Sequence, residues 1–256
     1  MAFLQIEQVP VLSDNYVYLI YDPATQVCAC VDPATAGPVK KRLAELGWHL
    51  THILNTHHHH DHIGGNLELK EAYDCEIVGA SIDAARIVGI DTQVGDGDVF
   101  TFGSTSCKIF EVPGHTSGHI AYWFEEDKAL FCGDTLFALG CGRLFEGTPA
   151  QMWHSLSKFK VMPDDTRVYC AHEYTAANAE FAITVDPANA ALQERMAEIK
   201  TLRAEHKPTV PSTLGQERAT NPFLRPDQGG VQKAVGLSGA DVVDVFAEVR
   251  RLKDNF

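Results

Sequence analysis

The sequence predicts an α/β domain followed by a smaller helical one. Short β-rich runs bounded by turn residues fill the chain as far as Glu173, one amphipathic helix interrupts them, and from about Ala176 the texture becomes helical. The strand-like runs are YVYLIYD (16–22), VCACVD (27–32), HILNT (52–56), EIVGA (76–80), CKIFEVP (107–113), HIAYWFEE (119–126), ALFCGD (129–134) and RVYCAHE (167–173). Between the second and third, GPVKKRLAELG (37–47) repeats Val39, Leu43 and Leu46 at helical spacing, and Gly47 can end the helix. A second helix is expected just after HHHHDH at 57–62. Toward the C-terminus, ALQERMAEIKTLRAEH (191–206) and ADVVDVFAEVRRLKDNF (240–256) read as helices, joined by the Pro-containing segment 207–228. The expected domains are therefore 1–173 and 174–256.

A chain of 256 residues with 45% apolar side chains can bury an ordinary core. Its formal charge of -13 argues against a nucleic-acid partner, and an anionic substrate would need a local basic pocket. The N-terminal MAFLQIEQVPVLSDNYVYLI lacks a basic start, and no run reaches the ~18 apolar residues of a membrane span, so a cytoplasmic protein without a membrane partner is expected. Seven cysteines without a C-x-x-C pair fit buried reduced thiols better than a disulfide framework. Cys28 and Cys30 share one strand face, where core packing outweighs a soft-metal pair. The expected state is a monomer.

The chemistry concentrates in NTHHHHDHIGGN at 55–66, an internal stretch unlike a terminal tag. Three further segments present polar groups immediately after strand-like runs: His115 in PGHT, Asp134 in GDT and His172 in AHEY. Strand ends are where a rigid scaffold presents reactive groups. His57 and His59 project to one side of an extended segment, whereas Asp61 and His62 follow where Gly64-Gly65 relaxes the backbone. His58 and His60 then point elsewhere, as packing or supporting groups. Imidazole with carboxylate suits zinc, iron or manganese, and coordination left open for water makes such a site catalytic.

The ordered pattern T-H-x-H-x-D-H, then His, Asp and His, resembles the metallo-β-lactamase superfamily, an αββα sandwich with a dinuclear metal site. The resemblance implies two divalent ions per chain, most simply zinc. It assigns His57, His59 and His115 to the first, Asp61, His62 and His172 to the second, and Asp134 to both. Over almost its full length the chain is similar to the hydroxyacylglutathione hydrolase, or glyoxalase II, family. GDTLFALGCGRLFEG (133–147), AHEYT (171–175), VPSTLGQE (210–217), NPFLR (221–225) and RRLKD (250–254) carry that narrower likeness. It implies a thioester hydrolase of methylglyoxal detoxification that converts S-(2-hydroxyacyl)glutathione, such as S-D-lactoylglutathione, to glutathione and a 2-hydroxy acid (D-lactate). A hydroxide shared by the two ions would attack, with Asp61 and Asp134 as the catalytic carboxylates.

The likeness also implies that the C-terminal helical domain binds glutathione, through Arg143, Tyr174, Arg250 and Lys253. Some relatives carry Lys and Tyr where this chain has Arg143 and Phe145, so a cation is kept and a hydroxyl is lost. Spacing alone places Arg250 and Lys253 as neighbours on one helix face, where a solvated basic stripe is the ordinary reading.

Other residues attract plainer readings. A Cys132 or Cys141 nucleophile would make the metal set redundant. His49, His52, His154 and His206 read as surface or packing groups, and His119 as a loop brace. Asp32 is either a hydrogen-bond partner of a ligand histidine or an ordinary Asp-Pro turn. The GCG at 140–142 could present backbone N–H groups to substrate. Competing functions are a lactonase or β-lactamase, a persulfide dioxygenase, and a metal-buffering module without turnover.

Overall fold

The computed structural model describes residues 4–256, which form two compact units. The first comprises the described residues through Glu111 together with Ser117–Gly133; the second comprises Val112–Thr116 and Asp134–Phe256.

In the first unit, β1 (Gln5–Val11), β2 (Asn15–Asp22), β3 (Val27–Val31), α1 (Ala36–Leu46), β4 (His52–Leu54), α2 (His60–Ile63), α3 (Asn66–Tyr73), β5 (Glu76–Ala80) and β6 (Thr92–Val94) come first. Their strands lie side by side in chain order. β1, β2 and β3 pair antiparallel and β3 to β6 pair parallel. β7 (Val99–Phe102), β8 (Thr105–Glu111), β9 (Ile120–Phe124) and β10 (Ala129–Gly133) follow as an antiparallel set ordered β10-β9-β8-β7.

Period-two alternation explains the layering. Val17, Leu19, Cys28, Cys30, Ile53 and Ile77 pack with Val39 and Leu43 of α1 and Leu69 of α3, so the helices cover one sheet face. Tyr18 and Ile20, on the opposite face of β2, are equally buried, and Tyr18 meets Phe131 of β10 edge-on at 5.7 Å. Tyr122 of β9 closes the layer by donating to the Asn55 and Val78 carbonyls at 2.9 and 3.2 Å. A strand buried on both faces reads as a continuous apolar run, which is how YVYLIYD reads. The α1 helix ends at Gly47 as expected, with φ 69° in the left-handed region that glycine adopts without penalty.

The second unit contains β11 (Leu136–Phe137), β12 (Gly140–Cys141), α4 (Pro149–Lys160), β13 (Arg167–Cys170), α5 (Thr175–Val185), α6 (Ala190–Ala204), β14 (Ser212–Thr213), α7 (Leu214–Thr220), α8 (Gly229–Ala234) and α9 (Val242–Asp254). β11 pairs with β12, and β13 with β14. Phe223 lies 6.2 Å from Phe181 and 5.9 Å from Phe246, an aromatic cluster joining α5 and α9.

α4 escaped the reading of the sequence although its signals are present. Thr148 and Gln151 form a capping box, Pro149 occupies the first turn, and Met152, Leu156 and Phe159 are buried at helical spacing. The joining segment 207–228 is likewise more ordered than expected, containing β14 and α7.

Candidate metal centre and active site

In the first unit, the turn after β4 carries four predicted ligands. His57 and His59 do face one side: His57 Nε2 lies 3.1 Å from His59 Nδ1. A tetrahedral ion with nitrogen ligands at ~2.0–2.1 Å holds them about 3.3 Å apart, so this spacing suits two ligands on one ion as well as a hydrogen bond between the rings.

Asp32 resolves into a hydrogen-bond partner of His62, a candidate ligand, and of Thr56. Its Oδ1 accepts from the Thr56 N–H at 2.7 Å, and its Oδ2 accepts from the Thr56 hydroxyl at 2.7 Å. That same Oδ2 is 3.0 Å from His62 Nδ1, while His57 Nδ1 is 3.0 Å from the Thr56 hydroxyl oxygen. The network assigns the ring proton of both histidines to Nδ1, so that Nε2 carries the lone pair a metal needs. Asp32, His57 and His62 place donor atoms within 4.8 Å of one another, yet the Asp32 oxygens are already engaged. His119 stacks on His57 at 4.5 Å and 18°, bracing that ring itself. Asp61 accepts from Asn15 Nδ2 at 3.1 Å and brings Oδ2 to 3.6 Å from His62 Nε2.

His58 turns away as expected, its Nδ1 lying 2.9 Å from buried Asp83, which also binds Arg86. Gly64 and Gly65 do not relax the backbone: their φ values of -59° and -87° are ordinary. They permit close approach instead. A Cβ would stand 2.5 Å from the Ala34 carbonyl oxygen at Gly64, and 2.9 Å from that of Pro33 at Gly65.

The second unit holds His115, Asp134 and His172. Asp134 directs Oδ2 toward His115 Nε2 and Oδ1 toward His172 Nε2, each at 3.4 Å. His115 Nδ1 donates to the Arg143 carbonyl at 2.8 Å, leaving its Nε2 as an acceptor opposite a carboxylate. A second ring proton on His115 or a shared cation satisfies this pairing, and 3.4 Å is compatible with the edge of a metal coordination shell. His172 lies flat on Tyr174 at 4.7 Å and 4°, with Phe137 edge-on to both. Neutral imidazoles and carboxylates grouped in this way fit two divalent ions.

The remaining candidates settle into structural roles. Burial pushes the Cys141 thiol up to about 11, which removes it as a nucleophile near neutral pH. Gly140 and Gly142 are packing positions: the Gly140 carbonyl accepts from Asn221, and the Gly142 N–H points at Thr135 O. His52 is bonded to Thr51 and packed on Phe100 and Phe102, and His49 meets Tyr73.

Comparison with known proteins agrees with this geometry. A family model of the metallo-beta-lactamase superfamily matches residues 13–172, and one of the hydroxyacylglutathione hydrolase C-terminus matches 173–256. A hydroxyacylglutathione hydrolase from Methylococcus capsulatus is 58% identical over 253 residues, 99% of each chain. One from Rhodospirillum rubrum is 55% identical over the whole of both.

The chain belongs to the hydroxyacylglutathione hydrolase family.

Solved structures share the superfamily fold. ETHE1 from Myxococcus xanthus, 26% identical, superposes with a TM-score of 0.70 over 96% of this chain and 90% of its own. The BLEG-1 B3 metallo-beta-lactamase, 21% identical, gives 0.66 over 86% and 99%. The metallo-β-lactamase fold with a helical C-terminal region, expected from the sequence, is therefore the fold of this hydroxyacylglutathione hydrolase family member.

The residues expected to contact glutathione differ in setting. Arg143 has a side chain 67% exposed, with Nε 3.9 Å from Asp254 Oδ1. Arg250 departs from a solvated stripe: it is 5% exposed, donates to the Cys141 carbonyl at 2.9 Å and pairs with Asp254 at 2.8 Å. Its guanidinium also covers Phe223. Lys253 donates to Ala177 O at 3.2 Å, and burial, aided by Arg250 and Arg143, lowers its pKa. Phe145 is 62% exposed and edge-on to His115. Asp254, which binds two of these cations, was not singled out in the sequence, because a carboxylate near a helix end is common.

Proposed function

We propose that this chain hydrolyses S-(2-hydroxyacyl)glutathione, such as S-D-lactoylglutathione, to glutathione and a 2-hydroxy acid, the thioester-cleaving step of methylglyoxal detoxification. Full-length relatives named hydroxyacylglutathione hydrolase support the reaction. One observation carries the metal reading: Asp134 offers a separate oxygen to each of two histidines at 3.4 Å. We assign His57, His59 and His115 to one ion and Asp61, His62 and His172 to the other, with Asp134 shared. Zinc is the preferred ion, and the same donors accept iron or manganese.

When bound, the paired ions supply Lewis acidity to the thioester carbonyl and acidify water. The protein's own groups do the rest. Asp32 and Thr56 hold the His57 and His62 tautomers, and the Arg143 carbonyl holds that of His115. Asp61 presents a carboxylate oxygen to accept a hydrogen bond from the attacking water and orient it. Arg143, Arg250 and Lys253 provide cations for the glutathione carboxylates, and Tyr174 supplies an aromatic wall against His172 and Phe137. The departing thiolate, of ordinary pKa ~8.5, needs no dedicated acid. Phe145 contributes a ring without a hydroxyl.

We take 1–173 as the catalytic domain and 174–256 as the glutathione-binding one; the family boundaries at 172 and 173 support this division, whereas the compact units of the fold divide at Gly133 and Asp134. The chain is read as a monomer. Seven buried free thiols support a reducing, cytoplasmic setting, and no helix among the described residues is long and apolar enough to cross a membrane.

The test is loss of thioester absorbance with purified protein, alongside metal analysis of the same sample. Turnover near two ions per chain is expected. A fully metallated protein that leaves S-D-lactoylglutathione intact would overturn the substrate assignment.

A further inference from the structure

The turn between β11 and β12 is held by buried side chains from three helical segments. Glu217 of α7, fully buried, accepts from the Leu139 N–H at 2.9 Å and from Asn221 Nδ2 at 3.0 Å through one oxygen. Its other oxygen accepts from Arg195 Nη2 of α6 at 2.5 Å. Asn221 also donates to the Phe137 and Gly140 carbonyls, each at 3.0 Å, and Asn178 of α5 donates to the Ala138 carbonyl at 3.0 Å. Leu139 sits at φ 58°, a left-handed conformation that a γ-branched residue adopts only when its surroundings impose it.

A buried ion pair is a poor device for stability alone, since apolar residues of similar volume commonly do as well. Its value here lies in what the turn supports. Phe137 braces Tyr174 edge-on at 5.3 Å, the Cys141 carbonyl accepts from Arg250, and Arg143 follows β12 by two residues. Three of the four residues assigned to glutathione thus depend on this turn.

We propose that Glu217 is a positioning residue for glutathione recognition, acting with Asn178 and Asn221 through the β11–β12 turn. This rests on the substrate reading above. Glutamine at 217 cannot replace the carboxylate, because donors converge on both oxygens and an amide NH2 would face one of them. Asn178→Ala provides a milder variant that removes the bond to Ala138 and the side chain's packing on Gly140.

The experiment measures kcat, KM for S-D-lactoylglutathione and metal content for wild type, Glu217→Gln, Asn178→Ala and the surface control Arg42→Ala. The two turn variants should raise KM about tenfold, with kcat within about threefold and both ions retained. A purely structural role would lower thermal stability and leave KM unmoved. Unchanged KM in both variants overturns the proposal, as does lost metal or kcat without a KM change. Should Glu217→Gln fail to fold, Asn178→Ala decides by the same KM criterion. If wild type itself does not turn over the thioester, the substrate reading falls and this proposal with it; an active wild type beside variants of normal KM removes the proposal alone.

Discussion

Replacing Asp32 by asparagine tests whether a single carboxylate sets the ligating tautomers. Asp32 is 3% exposed and accepts from the Thr56 N–H, the Thr56 hydroxyl and His62 Nδ1 at 2.7, 2.7 and 3.0 Å. Asparagine keeps one acceptor oxygen and turns the other into a donor. If its NH2 faces His62, that ring must accept at Nδ1 and carry its proton on Nε2, where the metal should bind. Losing such a supporting bond typically weakens metal affinity 10–100-fold, roughly 1.4–2.7 kcal/mol. If the amide is reversed, its NH2 opposes the buried Thr56 N–H, and the unsatisfied donor costs about 1–3 kcal/mol of folding stability. One penalty or the other is unavoidable. Chelator competition for zinc, paired with urea unfolding of the metal-free protein, separates them. An Asp32→Asn protein with wild-type zinc affinity and wild-type stability would refute the tautomer argument.

Asp134→Ala should reduce bound metal from two ions toward one and lower turnover at least about 100-fold, measured by metal analysis and thioester hydrolysis; full paired occupancy would defeat the shared-ligand assignment. Gly142→Ala places a Cβ 2.0 Å from the Asp134 carbonyl oxygen, so a loss of about 1–3 kcal/mol or more is expected in denaturant unfolding. Asp22 has an acid-side signature. Burial alone would raise its pKa, but the Thr25 hydroxyl and the Ser104 and Ala24 N–H groups bring it down to about 2. A depressed carboxylate stabilises the fold above its unfolded pKa of ~3.9 and loses that contribution as pH falls toward 2. Stability of Asp22→Asn should therefore vary less than wild type between pH 4 and 2, and parallel curves would contradict this.

Much of the molecule was legible without coordinates because its signals are local. The turn-bounded, β-rich run YVYLIYD, the Val39–Leu43–Leu46 spacing with Gly47 behind it, and the change of texture near Ala176 each report local backbone preference, which is a property of neighbours in the chain. The candidate ligands were named from equally local signals: imidazoles and carboxylates placed just after strand-like runs, and two histidines two residues apart. α4 was not expected, although its capping box at Thr148–Gln151 is just as local a signal.

Tertiary structure decided what depends on residues distant in sequence. Asp32 and His62 are thirty positions apart, and only folding shows that the carboxylate holds the ring instead of serving the Asp-Pro turn alone. Gly64 and Gly65 looked like flexible joints, yet their backbone is ordinary, and what forbids a side chain is the Pro33–Ala34 carbonyls across the fold. Arg250 looked like surface charge, but the Cys141 carbonyl, 109 residues away, takes it into the interior. Sequence by itself determines which groups can do chemistry and the periodicity that carries them; partner, burial and tautomer are set by contacts between remote segments, and the free energy of those contacts exists only once the chain has folded.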